Sequence, residues 1–354
     1  MTVHTTTEPI LEVKDLTVEF ETARKPLTAV DNVSWSLYPG QTLAILGESG
    51  SGKSVSTQAV AGILDMPPGR IVSGSASYRG QDLLQMPRKA RRKIVGDRIT
   101  MVFQDSLSAL NPVQSVGAQI AESYRVHRGL GRREARERAI EMLAKVRIPA
   151  PHQRVHDYPH QFSGGMRQRV MLAMALALDP DVLIADEPTT ALDVTVQAQI
   201  LELLAELQSQ TTMAVVLITH DLRVVEDVAD HVVVMYAGRV VEQGRRDQVL
   251  THPAHPYTEG LLKSMPSAEL KGSQLATIAG TPPSLTSIPS GCAFRTRCAY
   301  AFEECSVIKP ELIKIGSGSP DTAAAGRSAA CLLDLDQRVS GLGTGAREVS
   351  AAHV

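Results

Sequence analysis

The chain has 354 residues, an apolar fraction of 43% and a formal net charge of -2. That is ample for a buried core in about two domains, and it provides no basic field for nucleic acid. Aromatic residues make up only 4%, too few for a platform on which single strands stack. The longest clean apolar run, Val170 to Leu178, is far short of the ~20 residues of a spanning helix. The opening MTVHTTTEPILEVKDL has no basic stretch followed by an apolar one, so it does not read as a secretory signal. Any membrane association is therefore expected to come through a partner.

In chain order, LEVKDLTVEF (11–20) and AVDNVSWSLY (29–38) alternate and are rich in β-formers, and Pro39-Gly40 marks a turn. TLAIL (42–46) is a short apolar run, the pattern of a strand buried on both faces. From about 105 to 175 the character becomes helical, with RREARERAIEMLAKVR (132–147) placing apolar side chains at helical spacing among charges. VLIA (182–185) and AVVLI (214–218) are again buried strands, separated by a helical stretch at 194–208. This rhythm predicts a layered α/β domain. HVVVMYAGRVV (231–241) reads as a hairpin turning at Ala237-Gly238. After about 250 come a Pro/Ser/Thr-rich stretch (280–291), the cysteines, and a Gly/Ser/Ala-rich tail expected to be disordered. No internal repeat is visible.

Residues 47–54 read GESGSGKS, a full match to the phosphate-loop pattern G-x-x-x-x-G-K-[ST]. Gly47, Gly50 and Gly52 let the backbone wrap with its N–H groups inward, with Ser49 and Ser51 between them. Lys53 brings a positive charge to the β/γ-phosphates, Ser54 offers a hydroxyl to Mg²⁺, and a following helix adds its dipole. Downstream, VLIADEPTT places Asp186 at a strand end, where it would hold the Mg²⁺ shell. Glu187, one residue on, would polarise the attacking water. His220 follows the strand AVVLIT and could contact the γ-phosphate, and Gln104 ends VFQ, where it could reach the metal and the water. Neither His220 nor Gln104 carries much signal alone.

FSGGMRQR (162–169) decides the family resemblance. It resembles the L-S-G-G-Q signature of ABC ATPases, with Phe162 and Met166 replacing Leu and Gln, while Ser163, Gly164 and Gly165 stand. The resemblance covers roughly residues 10–250. It implies an ABC nucleotide-binding domain: a RecA-like α/β core, an antiparallel β subdomain and a helical signature subdomain. It implies also that Ser163, Gly164 and Gly165, at a helix N-terminus, face the γ-phosphate on a partner subunit's phosphate loop. That electrostatic role removes the need for an arginine finger. Thr190-Ala191-Leu192-Asp193 resembles the D-loop, with Asp193 crossing the dimer interface, and Phe20 falls where the family stacks an aromatic on adenine. A core role for Phe20 is the competing reading.

HPYTEGLL (255–262), IAGTPPSL (278–285), GCAFRTRC and PEL resemble the C-terminal region of oligopeptide/dipeptide importer ATPases, a group that includes nickel-complex importers. The expected domains are therefore 1–250 (ATPase), 251–335 (importer-type extension) and 336–354 (tail). All four cysteines, Cys292, Cys298, Cys305 and Cys331, fall in the extension with spacing C-x5-C-x6-C-x25-C. This is neither a zinc pair nor a common ferredoxin pattern, and four thiolates suit zinc or a [4Fe–4S] cube equally. Some importer ATPases of this kind carry an iron–sulfur cluster here, and the resemblance favours that over zinc or free thiols. Cys331, flanked by flexible-looking sequence, is the least secure ligand.

The resemblance thus implies an ATP- and Mg²⁺-dependent subunit at the cytoplasmic face of the cell membrane. Its implied partners are a second ATPase subunit (a copy or a paralogue), two transmembrane permease subunits and an extracellular or periplasmic peptide-binding protein. A soluble ABC ATPase acting on nucleic acid is disfavoured by the single phosphate loop and the absent basic patch. A redox-sensing module rests on the cysteines alone.

Overall fold

A computed structural model describes residues 8–23, 25–105, 109–189, 192–265, 277–315 and 326–333. Its strands in chain order are β1 (Leu11–Phe20), β2 (Leu27–Leu37), β3 (Thr42–Leu46), β4 (Gly69–Tyr78), β5 (Gln81–Asp82) and β6 (Ile99–Val102). β7 (Val182–Asp186), β8 (Ala214–Thr219), β9 (His231–Tyr236), β10 (Arg239–Arg245), β11 (Ile313–Lys314) and β12 (Ser328–Ala329) follow. The longer helices are α1 (Lys53–Ala61), α2 (Val116–Arg128), α3 (Arg132–Lys145), α4 (Gly164–Leu176), α5 (Val194–Ser209), α6 (Leu222–Val228), α7 (Arg246–Thr251) and α8 (Pro256–Lys263).

Two sheets form, ordered β2-β1-β4-β5 and β11-β12-β10-β9-β3-β8-β7-β6. The first is wholly antiparallel. In the second, β9, β3, β8, β7 and β6 run parallel. Every residue of β3, β7 and β8 is buried, as uniformly apolar parallel strands covered on both faces must be. The hairpin β9–β10 turns at Ala237-Gly238, both at positive φ, which suits the right-handed twist of a two-residue turn.

α2, α3 and α4 pack into a helical layer whose core joins Ile120, Leu143, Val170 and Leu172 to Leu203 and Leu204 of α5. A second core lies between the antiparallel sheet and the main sheet, with Trp35, Leu16, Ile45 and Ile218. Among the described residues no helix is long and apolar enough to cross a membrane.

The extension is stitched into the main sheet. β12 pairs antiparallel with β10 (Glu242 opposite Ala329) and with β11. Glu242, fully buried, accepts from Ala254 N at 2.8 Å and His255 N at 3.0 Å and pairs with Arg327 at 3.3 Å. Tyr236, Tyr257 and Phe294 form an aromatic knot with centroids 4.7–5.4 Å apart. The tail at 336–354 lies outside the described residues.

Candidate functional site

The residues singled out for chemistry sit at the carboxyl ends of neighbouring parallel strands. The phosphate loop leaves β3, Gln104 follows β6, Asp186 ends β7 with Glu187 next, and His220 follows β8. With strand order β3-β8-β7-β6, these ends share one edge of the sheet, where open α/β sheets bind ligands.

Two of the loop's glycines are enforced by packing, while Gly50 faces open space at φ +78°. A Cβ on Gly47 would stand 2.3 Å from the Met235 carbonyl oxygen, and one on Gly52 would stand 2.5 Å from that of Ala29. Lys53 is buried and its ammonium donates to the carbonyl oxygens of Gly47 (2.7 Å) and Glu48 (3.0 Å). Burial pulls its pKa below the ordinary lysine value, opposed by Glu187, Asp186 and Glu48. Among the described residues the buried Ser51 hydroxyl has no hydrogen-bond partner, an unsatisfied group in the wall of the loop.

Ser54 Oγ donates to Asp186 Oδ1 at 2.9 Å. Burial raises the pKa of Asp186, and the Ser54 hydrogen bond opposes this. A hydroxyl and a carboxylate side by side are the hard oxygen donors Mg²⁺ takes alongside phosphate oxygens. Glu187 accepts from Gln104 Nε2 at 3.0 Å, and its other oxygen lies 3.4 Å from His220 Nδ1. Glu187 has φ +45°, the left-handed region, and its N–H donates to Ile218 O at 2.9 Å. A non-glycine residue held there marks a position where geometry outranks local comfort.

The chain is similar to known proteins in both sequence and fold. The ABC transporter family profile matches residues 30–190, and the profile for the oligopeptide/dipeptide transporter C-terminal region matches residues 241–305. The dipeptide transport ATP-binding protein DppD of Haemophilus influenzae is 47% identical over 308 residues, covering 87% of this chain and 93% of its own. The oligopeptide transport ATP-binding protein OppD of Bacillus subtilis is 49% identical over 307 residues, covering 86% of each. The chain belongs to the ABC transporter ATPases, in their oligopeptide/dipeptide branch. A solved dimeric bacterial ABC transporter cassette aligns with TM-score 0.60 and 28% identity, covering 67% of this chain and 98% of that one. A second structure of that cassette, in a post-hydrolysis state with ADP and Pi, aligns equally well.

The stretch FSGGMRQR, which resembles the ABC signature, runs into the start of α4. Ser163 is the exposed N-cap, and its hydroxyl accepts from Met166 N at 3.4 Å. The start of α4 packs against α5 and the residues just before it. A Cβ on Gly165 would press Val196 at 2.5 Å, while one on Gly164 would meet Leu192 at an ordinary 3.5 Å. Asp193 caps α5, accepting from Val196 N at 2.9 Å. Thr190 and Ala191 of the D-loop stretch lie outside the described residues. Phe20 ends β1 half-buried, with part of its surface against the core between the sheets.

The four cysteines line one pocket together with Phe294, Tyr300 and Phe302. Cys305 is buried and the other three are half-buried. Cys331, the least secure by sequence, is anchored because β12 ends two residues before it. Burial pushes the Cys292 thiol up and the Cys298 thiol to about 12, so as free thiols both are protonated and weakly nucleophilic. Among the described residues no three His, Cys, Asp or Glu side chains are gathered as a single-ion site.

Three contacts from the extension reach the phosphate loop, and sequence reasoning missed all of them. Arg297 pairs with both carboxylate oxygens of Glu48, at 2.6 and 3.0 Å, and Tyr257 Oη accepts from Glu48 N at 2.9 Å. Both residues lie inside the importer-type motifs HPYTEGLL and GCAFRTRC, which is the one signal that could have pointed to them.

Proposed function

We propose that this chain is the ATP-binding, ATP-hydrolysing subunit of an ABC importer for di- or oligopeptides. The observation that carries the hydrolytic reading is Glu187, fixed in left-handed backbone between Gln104 and His220, one residue from the Asp186–Ser54 pair. Gly47, Ser49, Gly50, Ser51, Gly52 and Lys53 bind the phosphates, and Ser54, Gln104 and Asp186 hold Mg²⁺. Bound there, Mg²⁺ would supply charge neutralisation at the β/γ-phosphate oxygens. Glu187 orients and polarises the attacking water, and His220 supports Glu187 and the γ-phosphate. Phe20 stacks on the adenine.

Ser163, Gly164 and Gly165 serve the phosphate loop of a second ATPase subunit, a copy or a paralogue, and Asp193 lies at the junction between the two. ATP closes that dimer, and closure drives two membrane permease subunits fed by an extracellular or periplasmic peptide-binding protein. The chain works at the cytoplasmic face of the membrane. The peptide cargo is supported by relatives named for dipeptide and oligopeptide transport. Glu187→Gln should bind ATP and dimerise by light scattering, with turnover at least about 100-fold lower. Parental turnover in that variant would remove Glu187 from its role. Cargo is read by reconstituting the transporter and following ATPase activity with di- and oligopeptides. Flat turnover across peptides would count against the peptide reading.

The same reading extends to the extension, where Cys292, Cys298, Cys305 and Cys331 hold a [4Fe–4S] cluster. What supports a shared site is that the four thiols line one pocket. The cluster's role here would be structural: ligation would join the 292–305 loop to Cys331, so binding free energy would become folding free energy. Anaerobic purification should give about four irons with matching sulfide per chain. Zinc, or no metal, would overturn the assignment.

A further inference from the structure

We propose that Arg297 is a positioning residue for the phosphate loop, so that the cysteine-bearing extension sets how tightly the ATPase core holds nucleotide. The proposal rests on the reading of residues 47–54 as the ATP phosphate loop. Glu48 lies inside that loop, and all of its polar groups are engaged. Its carbonyl oxygen accepts from Lys53 Nζ at 3.0 Å and from Ser51 N at 3.2 Å. Its N–H donates to Tyr257 Oη, and its carboxylate takes both terminal nitrogens of Arg297. The same carbonyl that aims the phosphate-binding lysine is therefore part of a residue gripped from the extension at two points.

Arg297 is itself immobilised. Its side chain is 4% exposed. Nε donates to Ala279 O at 3.0 Å, and the guanidinium lies 5.8 Å from the Tyr236 ring and 6.0 Å from that of Phe294. A planar fork fixed on three sides holds a carboxylate in one orientation, which a lysine could not do. Cys298 is the next residue, so whatever holds the cysteine loop also holds the fork. The charge balance points the same way. A loop that cradles a polyanion gains nothing from a free carboxylate, and Arg297 neutralises the one it contains.

A purely structural role for Arg297, joining the extension to the core, predicts a different result. The test titrates Mg²⁺ and a fluorescent ATP analogue, mant-ATP, against the purified full-length chain and melts each variant in parallel. Arg297→Ala should raise the Kd about tenfold by freeing Glu48 beside the phosphates. Adding Glu48→Gln to it should recover most of that loss, to within about threefold of the parent, because the stray charge is gone. Parental Kd in R297A would overturn the proposal, even if its melting midpoint falls. Equal weakness in R297A and the E48Q/R297A double variant would overturn it too, since the loss would then come from a disturbed extension. Lys53→Ala reads the loop assignment separately. If K53A binds like the parent, the phosphate-loop reading fails and takes this proposal with it. If K53A loses binding while R297A keeps it, the clamp alone fails.

Discussion

Glu187 shows how a single residue can be held against its own preference. Its φ of +45° is a conformation that glycine adopts freely and other residues adopt at a cost of about 1 kcal/mol or more. The strain persists because Glu187 N–H is bound to β8 and its carboxylate lies between Gln104 and His220. Removing the carboxylate in two ways separates strain from chemistry. Glu187→Gly and Glu187→Ala should both lack turnover, and the glycine variant should be the more stable by about 1 kcal/mol in chemical denaturation. Equal stabilities would mean that the backbone at 187 is not strained. None of this strain is legible in VLIADEPTT, which shows an acid pair after a strand and nothing of the backbone. The acid pair, Lys53 and the glycines are legible because each sits in a short contiguous pattern, even though their partners, such as Ser54 for Asp186, lie far away in sequence. Glu48 reads only as a variable loop position, since its partner lies 249 residues away.

At the scale of the element, α4 combines two roles at one residue. Ser163 caps the helix, and the ATPase reading also has it face a partner's γ-phosphate. Asp is as good a cap as Ser and sits well on the positive end of a helix. Ser163→Asp should therefore melt within about 1 kcal/mol of the parent yet lose nearly all turnover, because a carboxylate would oppose the incoming phosphate. If S163D turns over normally, the signature does not meet phosphate. Strand and helix identities were readable from apolar runs and 3.6-residue spacing, and β3, α3, β7, α5 and β8 stand where those patterns put them. The two-residue strands β11 and β12 had no such pattern, since so short a pairing leaves no periodicity. Hence Cys331 looked loosely held in sequence while the structure ties it to β10 through β12.

At the scale of the whole molecule, the extension completes the sheet. β10 would be a bare edge without β12, and an unpaired edge strand invites association. Glu242, fully buried, would lose both N–H donors and Arg327 along with the segment that covers it. A chain ended after Thr251 should accordingly elute as aggregate in size-exclusion chromatography, where the full chain elutes as monomer or dimer. A soluble, monomeric truncation would show that the core closes its own edge.

The distance in sequence between Glu48 and Arg297 also has a consequence in time. A ribosome adds about 5–20 residues each second, so the 249 residues between them take roughly 12–50 s to emerge. Throughout that interval the nascent chain carries a phosphate loop whose bracing has not yet been made. β3 must wait as well, because its neighbours β8 and β9 begin at Ala214 and His231. A stalled or prematurely released product therefore lacks the lock on its own loop. If the clamp governs nucleotide affinity, only chains long enough to include Arg297 grip ATP fully.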